Sequence, residues 1–328
     1  MLQLSVVVPT YNRVVGLRRM LEALARQTIA PESFEVLVVD DGSTDGTPAM
    51  VRLLEAQLPF RLRLLQQAHA GPAQARNLGV AHAASHLVLF LDDDVLPLPD
   101  LIVDHVQAHA GRPETVVVGP MLPPIGWKRP AWVRWEERLL QIQYRELVEG
   151  KYPCTPRQFY TANASLSRRL FLEAGGFDPS FLRAEDVELA YRLRDLGARF
   201  IFKPSARVLH YAARSFGAWC RAAYLYGRYD VIMTRDKGHE ALTCATREFH
   251  TRHPLSRLLV RCCLGRPPLS RLLLFALPGV IAATDRLGLE ALAVCCLSSA
   301  FGLLYWQGAS DELGGRDRVW TCLAASAV

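Results

Sequence analysis

The chain has 328 residues, half of them hydrophobic, and a formal net charge of +6 at pH 7. This apolar content excludes a disordered chain, and the length suffices for one large domain or two smaller ones. The positive excess lies entirely in residues 205–328, which hold 15 Lys or Arg against 9 Asp or Glu, whereas residues 1–204 hold 23 of each kind.

Strand and helix patterns alternate through the first 120 residues. Helices are predicted around Leu17–Leu24, after Thr47-Pro48 as N-cap and first residue, and after Gly71-Pro72. This order predicts an α/β fold with a mostly parallel sheet and helices on both faces, in which ligands bind beyond the carboxyl ends of the strands. The strands are predicted from apolar runs at Leu4–Val8, Phe34–Val39, Leu62–Leu65 and His86–Leu91.

Three polar segments, Thr10–Asn12, Asp40–Ser43 and Asp92–Asp94, fall at that carboxyl edge. Residues two apart in an extended chain point the same way, so the first and last acids of the triplet can aim at one point, whereas Asp93 points away as a structural member. Mg²⁺ and Mn²⁺ often use one or two carboxylates together with water and substrate phosphates. The triplet therefore predicts a metal site, with a solvated turn and helix cap as the alternative.

The middle of the chain changes character twice. Residues 120–160 are rich in Pro, Trp and charge and are interpreted as a long insertion near the site. Compact structure resumes over residues 161–210, with a short helix, a Gly175–Asp178 loop, a helix opened by Glu185-Asp186 and a last strand at Arg199–Phe202.

The chain from about residue 215 onward has a helical pattern. Six arginines between residues 247 and 271 face one acid, Glu248, and two apolar stretches follow at Leu272–Thr284 and Leu287–Trp306. The first stretch is too short to span a bilayer, and a basic segment beside apolar helices is typical of attachment to an anionic membrane surface. A soluble helical subdomain, an oligomer interface and a true span are the alternatives. We therefore predict a catalytic domain at 1–215 and a helical, basic and apolar extension at 216–328.

The predicted compartment follows from the cysteines and the first residues. None of the eight cysteines forms a Cys-x-x-Cys pair, so a metal knuckle or disulfide framework is not indicated. The chain starts with a strand-like run without signal-peptide features. We expect a cytoplasmic protein, peripheral on the inner face of the plasma membrane.

An ordered set of short motifs points to one family. Each motif alone is weak, but the order over about residues 2–230 closely resembles the family 2 glycosyltransferases, which are inverting enzymes with a GT-A fold. The resemblance implies metal-assisted transfer of a sugar from a nucleotide-diphosphate sugar to an acceptor hydroxyl. The motifs are Val7–Asn12, Val38–Asp45, Ala75–Asn77, Leu91–Asp94, Gly175–Asp178 and Glu185–Leu189.

The resemblance also implies roles for individual residues. Asp186 matches the base that deprotonates the acceptor; its alternative is stabilisation of a helix N-terminus. Asp94 is expected to be the principal metal ligand, with Asp92 assisting and His210 as a further ligand, although a lone histidine is more often structural. Glu185, Gly175 and Gly176 are expected near the acceptor, the glycines having a helix stop as their alternative. The candidate donor-binding residues are Pro9, Thr10, Tyr11, Asp41, Arg76, Asp92 and Asp93.

Two of these donor roles have specific physical arguments. Asp41 can accept an N–H from a nucleobase, or instead form an Asx-turn before Gly42. Arg76 can donate to phosphate or to a carbonyl edge, or instead be an exposed helix arginine. The predicted partners are a nucleotide-sugar donor, a glycan or lipid-linked acceptor and a membrane surface, without nucleic acid, and the predicted cofactor is Mg²⁺ or Mn²⁺.

Two other functions compete with the transferase. A receiver-type signalling domain also places acids at strand ends, but it would leave two thirds of the chain unexplained. A non-catalytic, transferase-like membrane scaffold is disfavoured because every acid that the chemistry needs is present. The sequence therefore favours an enzyme in polysaccharide, lipid-linked glycan or glycolipid synthesis.

Overall fold

A computed structural model describes residues 2–325. The chain divides into two compact units: an N-terminal unit of Met1–Trp127 with Glu137–Ala212, and a C-terminal unit of Lys128–Glu136 with Ala213–Val328. The short segment Lys128–Glu136 therefore belongs to the second unit although it lies within the sequence of the first.

The strands of the described chain all lie in the N-terminal unit. They are β1 (Leu4–Thr10), β2 (Phe34–Asp40), β3 (Arg61–Gln66), β4 (Leu87–Leu91), β5 (Val95–Pro97), β6 (Thr115–Val118), β7 (Met121–Leu122), β8 (Asn163–Ser167), β9 (Arg199–Phe202) and β10 (Val208–His210).

The helices are distributed over both units. Those before residue 213 are α1 (Val14–Leu24), α2 (Thr47–Glu55), α3 (Pro72–His82), α4 (Leu101–His109), α5 (Ala131–Val148), α6 (Arg168–Glu173) and α7 (Glu185–Asp195). The later ones are α8 (Phe216–Lys237), α9 (Ala241–Thr251), α10 (Pro254–Cys263), α11 (Pro267–Arg286), α12 (Glu290–Leu313) and α13 (Arg316–Ala325).

A seven-stranded sheet in the order β3-β2-β1-β4-β8-β6-β9 forms the centre of the N-terminal unit. The first four strands of this order are parallel, as the βαβα pattern predicts, whereas β8 is antiparallel to both of its neighbours. A second sheet, β5-β10-β7, has three short strands. The carboxyl ends of β1, β2 and β4 therefore lie side by side at one edge.

Hydrophobic cores cover both faces of the large sheet. Val6 and Val8 of β1 pack with α1 and α2 on one face, and Val7 packs with α3 on the other, because successive side chains of a strand alternate. Gly79 of α3 lies so close to β1 that an added Cβ would come 2.4 Å from Val7 Cγ1. Glycine at this position therefore allows α3 to pack directly against β1.

Residues 120–160, interpreted from sequence as a long insertion, contain regular structure. They contain β7 and the 18-residue helix α5. The chain also continues past the predicted last strand into β10, which pairs with β5 and β7 and carries His210 at its end. Such short strands pair only with residues distant in sequence, so local pattern does not predict them.

The N-cap predicted at Thr47 is wrong. Gly46 occupies the cap position in a left-handed conformation, and Thr47 is the first helical residue. The capping oxygen comes from Asp45, whose Oδ1 accepts from the Thr47 amide at 3.1 Å and from its hydroxyl at 2.5 Å. A second Asp45 oxygen accepts from the Val14 amide at 3.0 Å, so this one carboxylate serves the starts of α1 and α2.

Helices α8 and α12 approach each other closely in the C-terminal unit. A Cβ added at Gly227 would lie 1.8 Å from the Tyr305 carbonyl oxygen, and one at Gly308 would lie 1.9 Å from that of Tyr224. The buried Asp230 also accepts a hydrogen bond from the Tyr305 hydroxyl at 2.7 Å. Glycine at these two positions is therefore a packing requirement of the unit.

Two helices of the described chain, α11 and α12, are long and apolar enough to cross a membrane by length and composition alone. Helix α11 has 20 residues, about 30 Å at 1.5 Å per residue, so the expectation that this stretch is too short to span is wrong. The apolar stretch Leu272–Thr284 is shorter than the helix because α11 continues beyond it at both ends, over residues 267–271 and 285–286. Helix α11 is also largely exposed, with Leu272 at 67% and Phe275 at 87%.

Candidate active site

The polar segments after β1, β2 and β4 meet through direct hydrogen bonds. The Asp41 amide donates to the Thr10 carbonyl at 2.9 Å, and the Thr10 hydroxyl donates to Asp93 Oδ2 at 2.8 Å. Asn12 takes a left-handed conformation, and its Oδ1 accepts from the Thr44 amide at 2.8 Å. The three polar segments that were predicted at this edge of the sheet are therefore in contact with one another.

The acid triplet lies in a turn after β4 and not in an extended chain. The Val95 amide donates to the Asp92 carbonyl at 3.4 Å across this turn. The assumption that Asp92 and Asp94 aim at one point in an extended chain is therefore wrong. Each of the three carboxylates has a different partner.

Asp93 is partly buried in the turn, and the Thr10 hydroxyl is its hydrogen-bond partner. Burial raises the pKa of Asp93 to about 7, with further contributions from the charges of Asp94 and Asp92. The hydrogen bond from Thr10 joins the acid turn to the end of β1.

Asp94 lies beside His210, with 3.5 Å between Asp94 Oδ1 and His210 Nε2. Burial acts to raise the pKa of Asp94, but the hydrogen bond and charge of His210, together with Arg13, outweigh it and the pKa is lowered. Both side chains keep about a fifth of their area exposed. Within residues 2–325, no group of three His, Cys, Asp or Glu side chains could by itself hold a metal ion.

Arg76 of α3 joins two of the motifs. Its Nη2 donates to Asp92 Oδ1 at 2.7 Å and its Nη1 to Glu185 Oε1 at 3.1 Å. The guanidinium is buried and lies 5.6 Å from the centre of the Phe177 ring. It is therefore not the exposed helix arginine considered as an alternative, and these two terminal nitrogens already bind carboxylates.

Asp186 lies in the first turn of α7, directly after Glu185. Burial raises the pKa of Asp186 to about 7, and the neighbouring Glu185 charge raises it further, against the opposing effects of Arg183, the Val187 amide and Arg76. A carboxyl group with a pKa near neutrality suits general base catalysis, because a substantial fraction of it is ionised at neutral pH and it still has appreciable proton affinity.

Side chains of two helices, α3 and α7, form hydrogen bonds with the loop around Gly175 and Gly176. Asn77 accepts from the Phe177 amide through Oδ1 and donates to its carbonyl through Nδ2, both at 2.8 Å. Arg192 of α7 donates to the Gly176 carbonyl at 2.7 Å and also to the Ala174 carbonyl. The loop therefore lies between α3 and the helix that carries Asp186.

The Gly175-Gly176 loop requires glycine for steric reasons. Both residues have positive φ, and a Cβ on Gly176 would lie 2.8 Å from Asn77 Oδ1. The two glycines also form the helix stop considered as the alternative, since the Gly175 amide donates to the Leu172 carbonyl and the Gly176 amide to the Phe171 carbonyl at the end of α6.

The Asp41 carboxylate is buried and accepts from four groups of the loop that leads into α3. Tyr11, 44% exposed, stacks on His69 with 4.2 Å between ring centres, whereas Pro9 is buried within β1. The donors to Asp41 are Gln67 Nε2 at 2.7 Å, the Ala70 amide at 2.8 Å, the Gly71 amide at 2.9 Å and His69 Nδ1 at 2.8 Å.

Comparison with protein families decides the classification. A family model described as "Glycosyl transferase family 2" matches residues 5–173, about half of the chain, and covers β1 to α6. The chain belongs to glycosyl transferase family 2. This membership confirms the family predicted from the motifs and removes the receiver-type alternative.

One curated relative of this family member is the "Validoxylamine A glucosyltransferase" of Streptomyces hygroscopicus subsp. limoneus. It is 38% identical over 218 residues, which cover 59% of this chain and 48% of the relative. The chain thus spans about half the length of the relative that it matches.

Solved structures show the fold. The mannosyltransferase PcManGT from Pyrobaculum calidifontis, in complex with GDP-Man and Mn²⁺, is similar with a TM-score of 0.59 and 23% identity over 99% of this chain and 86% of that chain. S. aureus TarS 1-349 in complex with UDP is similar with a TM-score of 0.56 and 18% identity over 95% and 92%. These likenesses confirm the predicted GT-A fold.

Several residues around the family motifs were given no role from sequence. His69 and Gln67 precede α3 in a stretch without a pattern, and no sequence signal indicates their contact with Asp41. Arg192 carries a weak signal, since it lies four residues after Glu188 on α7 and pairs with it. Asn77 belongs to the Ala75–Asn77 motif, and its hydrogen bonds with Phe177 give a physical reason for an asparagine at this position.

Proposed function

We propose that this protein is an inverting glycosyltransferase that moves a sugar from a nucleotide-diphosphate sugar to an acceptor hydroxyl. Asp186 would remove the acceptor proton as the hydroxyl attacks the anomeric carbon from the face opposite the leaving diphosphate. Glu185 and the Gly175-Gly176 loop would border the acceptor. The acceptor class that we favour is a glycan or a lipid-linked sugar.

The observation that carries this proposal is the chain of contacts from Asp92 through Arg76 to Glu185, next to Asp186. It connects the acid turn to the start of α7 through one buried guanidinium. Asp186, whose carboxyl group has a pKa near 7, directly follows Glu185 in the sequence. Arg76 links Glu185 to the acid turn, where a diphosphate would be bound. This arrangement suits a base acting opposite a leaving group.

Asp94 and His210 are the residues that would hold Mg²⁺ or Mn²⁺, with Asp92 nearby in the turn. A carboxylate and an imidazole that are adjacent and partly exposed form a fitting donor pair, and water and diphosphate oxygens commonly complete such sites. When bound, the ion would neutralise charge that develops on the diphosphate. PcManGT was solved with GDP-Man and Mn²⁺, which supports the use of a divalent ion in this fold.

Donor hydrolysis tests the proposal without knowledge of the acceptor. A panel of UDP-, dTDP- and GDP-sugars is incubated with the protein with and without Mn²⁺, and the released nucleotide and the anomer of the sugar are measured. We expect one donor class to be hydrolysed in a metal-dependent way with inversion. Asp186→Asn should retain nucleotide binding and lose roughly 10²–10⁴-fold in rate, which is typical for removal of a general base, whereas Asp94→Ala should lose metal-dependent binding.

Two results would contradict the assignment. Near-normal rates in Asp186→Asn would remove the base role. Absence of metal-dependent hydrolysis and of nucleotide binding across the whole panel would favour the non-catalytic scaffold. The exposed acid Glu22 provides a control, since Glu22→Gln disrupts only a surface pair with Arg18.

We also propose that the exposed face of α11 attaches the protein to an anionic membrane surface. Arg271, Leu272 and Phe275 are exposed and, at helical spacing, lie on adjoining parts of one face. Exposed apolar side chains beside arginines fit lipid chains and anionic headgroups together. Attachment of this kind would place the enzyme at the cytoplasmic face of the plasma membrane, where lipid-linked acceptors are accessible.

A further inference from the structure

Asn163 lies at the start of β8, beside the acid turn. It is buried and pairs with Leu91, the last residue of β4 before the turn. Its Nδ2 donates to the Ala206 carbonyl at 2.8 Å and to the Pro120 carbonyl at 3.3 Å. The Pro120 carbonyl also accepts from the Val208 amide at 3.1 Å. One amide group therefore holds the segments that lead into β7 and β10 against the central sheet.

The side-chain amide of Asn163 is oriented by the buried His105 of α4. Because Asn163 Nδ2 faces two carbonyl oxygens, which only accept, Oδ1 faces His105, whose Nε2 lies 3.0 Å away and carries the hydrogen. Burial lowers the pKa of His105 to about 4, so the ring is neutral at neutral pH and its Nδ1 accepts from the Ser165 hydroxyl at 2.7 Å. The same hydroxyl accepts from His109 Nε2 at 2.8 Å. The direction of each hydrogen bond in this chain is thereby determined.

Helix α4 also holds the turn before β10 directly. Asp104 Oδ1 accepts from the Ser205 hydroxyl at 2.7 Å and lies 3.5 Å from Lys203 Nζ. The Ala206 amide donates to the Lys203 carbonyl at 3.1 Å and closes this turn. Two adjacent residues of α4 therefore fix the turn, Asp104 by direct contact and the next residue through the asparagine of β8.

The position of this turn determines where His210 lies. Strand β10 begins two residues after Ala206, and its register places His210 opposite Val95 of β5. The Tyr211 amide donates to the Asp94 carbonyl at 2.8 Å, so the end of β10 is joined to the acid turn. Since β10 has three residues, a displacement at its start would change the 3.5 Å separation between His210 Nε2 and Asp94 Oδ1.

We propose that His105 is a positioning residue for the metal site formed by Asp94 and His210. It acts through Asn163, whose amide it orients, and thereby fixes the strand that carries one of the two ligands. This rests on the proposed function, in which those two side chains hold the divalent ion. Without the hydrogen from His105, Asn163 Oδ1 would lose its donor, and the amide could turn over and present an oxygen to the two backbone carbonyls. Strand β10 would then lose its attachment to β8.

Titration with Mn²⁺, followed by the electron paramagnetic resonance signal of the free ion, tests this role with Mn²⁺ alone and together with UDP or GDP. We expect His105→Asn, whose amide is too short to reach Asn163, to weaken Mn²⁺ binding by roughly tenfold, the lower end of what is typical for residues that orient metal ligands. His105→Gln is one methylene longer and can donate to Asn163 Oδ1, so its Kd should stay within about twofold of the wild-type Kd.

Ser5→Ala is the control for a general loss of stability. It removes buried hydrogen bonds with Glu35 and with the Ser85 amide, near the amino end of β1 and therefore at the opposite edge of the sheet. Thermal unfolding of each variant is recorded, and the titrations are made at a temperature at which all of them are folded. Ser5→Ala should lower the stability and leave the Mn²⁺ Kd unchanged.

Nuclear magnetic resonance of protein with isotope-labelled histidine follows the same contacts without metal. In the wild-type protein the His105 ring should carry its hydrogen on Nε2. The ring signals of His210 should shift in His105→Asn and should keep their positions in His105→Gln and Ser5→Ala. A hydrogen on His105 Nδ1 would contradict the orientation assigned to Asn163 and overturn the proposal.

The Mn²⁺ titrations can also overturn the proposal. A wild-type Kd in His105→Asn would do so, as would an equal loss in His105→Gln, or a loss in Ser5→Ala as large as that in His105→Asn. Asp94→Ala distinguishes a failure of the proposed function. If that variant bound Mn²⁺ as wild type does, or if wild type bound none under any of these conditions, the metal site itself would be wrong and the role of His105 would fall with it.

Discussion

At the scale of single residues, the charge around Asp186 sets when it can act as a base. A buried carboxyl beside a second negative charge holds its proton to higher pH than an exposed one. Glu185 contributes that charge, whereas Arg183 and Arg76 act in the opposite direction. The ionised, active form of Asp186 should therefore dominate only above about pH 7.

The pH profile of turnover tests this balance. We expect the wild-type rate to rise about tenfold per pH unit below the pKa of Asp186, near 7, and to level off above it. Glu185→Gln removes a like charge and leaves Arg76 with one acid fewer, so both effects lower the pKa and move the rising limb to lower pH. Single-turnover rates at saturating donor from pH 5 to 9 provide the measurement. A limb unmoved relative to Glu22→Gln would contradict the assignment.

The sequence predicts Asp186, Asp94 and Arg76 as site residues, but it does not predict the contacts of Arg76. The motifs fixed which residue types occur and in what order. The pairing of Arg76 with both Asp92 and Glu185 depends on how α3 and α7 face each other, which no local pattern encodes. His69 is a stronger case, because nothing around it in the sequence marks it as a partner of Asp41.

At the scale of elements, four parallel strands could be predicted because each is an apolar run long enough to be read alone. The antiparallel β8 and the two-residue and three-residue strands β7 and β10 could not, since their pairing partners are distant in sequence. The acid triplet shows how far prediction from the sequence reaches within one strand and the turn that follows it. The strand before it was predicted, but the turn that separates its three carboxylates was not.

The loop between α6 and α7 offers a test of element packing. Gly176→Ala places a Cβ 2.8 Å from Asn77 Oδ1 at a left-handed φ, whereas Gly150→Ala has a similar φ with nothing within 4 Å. The left-handed conformation alone costs about 1–2 kcal/mol. We expect Gly176→Ala to lose a further roughly 1–3 kcal/mol, because the two bonds between Asn77 and Phe177 would be disturbed.

Urea unfolding of both glycine variants gives the comparison. The free energy of unfolding should fall more for Gly176→Ala than for Gly150→Ala, and the difference should shrink when Asn77→Ala is added to each. Equal losses in the two single variants would show that the Asn77 contact does not constrain the loop.

At the scale of the whole molecule, the basic and helical character of the C-terminal part was predicted from composition, but its internal packing was not. The close contact of α8 with α12 depends on single glycines, Gly227 and Gly308, which resemble ordinary helix residues in the sequence. Helix α12 is thereby drawn into the core of its unit, whereas α11 keeps an exposed apolar face.

Vesicle binding separates a membrane face from an ordinary surface. We expect the protein to sediment with vesicles containing anionic lipid, and less so at high salt because charge contributes. Leu272→Glu with Phe275→Glu should abolish this binding, since burial of each side chain contributes about 1.5–3 kcal/mol. Leu53→Glu, an exposed leucine of α2, is the control and should behave as wild type. Sedimentation of the double variant at the wild-type level would refute the attachment.

The segment Lys128–Glu136 has a consequence for limited proteolysis. Within the C-terminal unit, Trp132 Nε1 donates to the Arg214 carbonyl at 2.7 Å, and Trp135 packs with Trp219 and Phe301. A protease that cleaved the chain near residue 213 would therefore break the peptide chain there, but the contacts of Trp132 and Trp135 with the C-terminal fragment would remain. The two fragments should co-purify as a complemented pair, and a catalytic fragment ending there would leave these tryptophans without their partners.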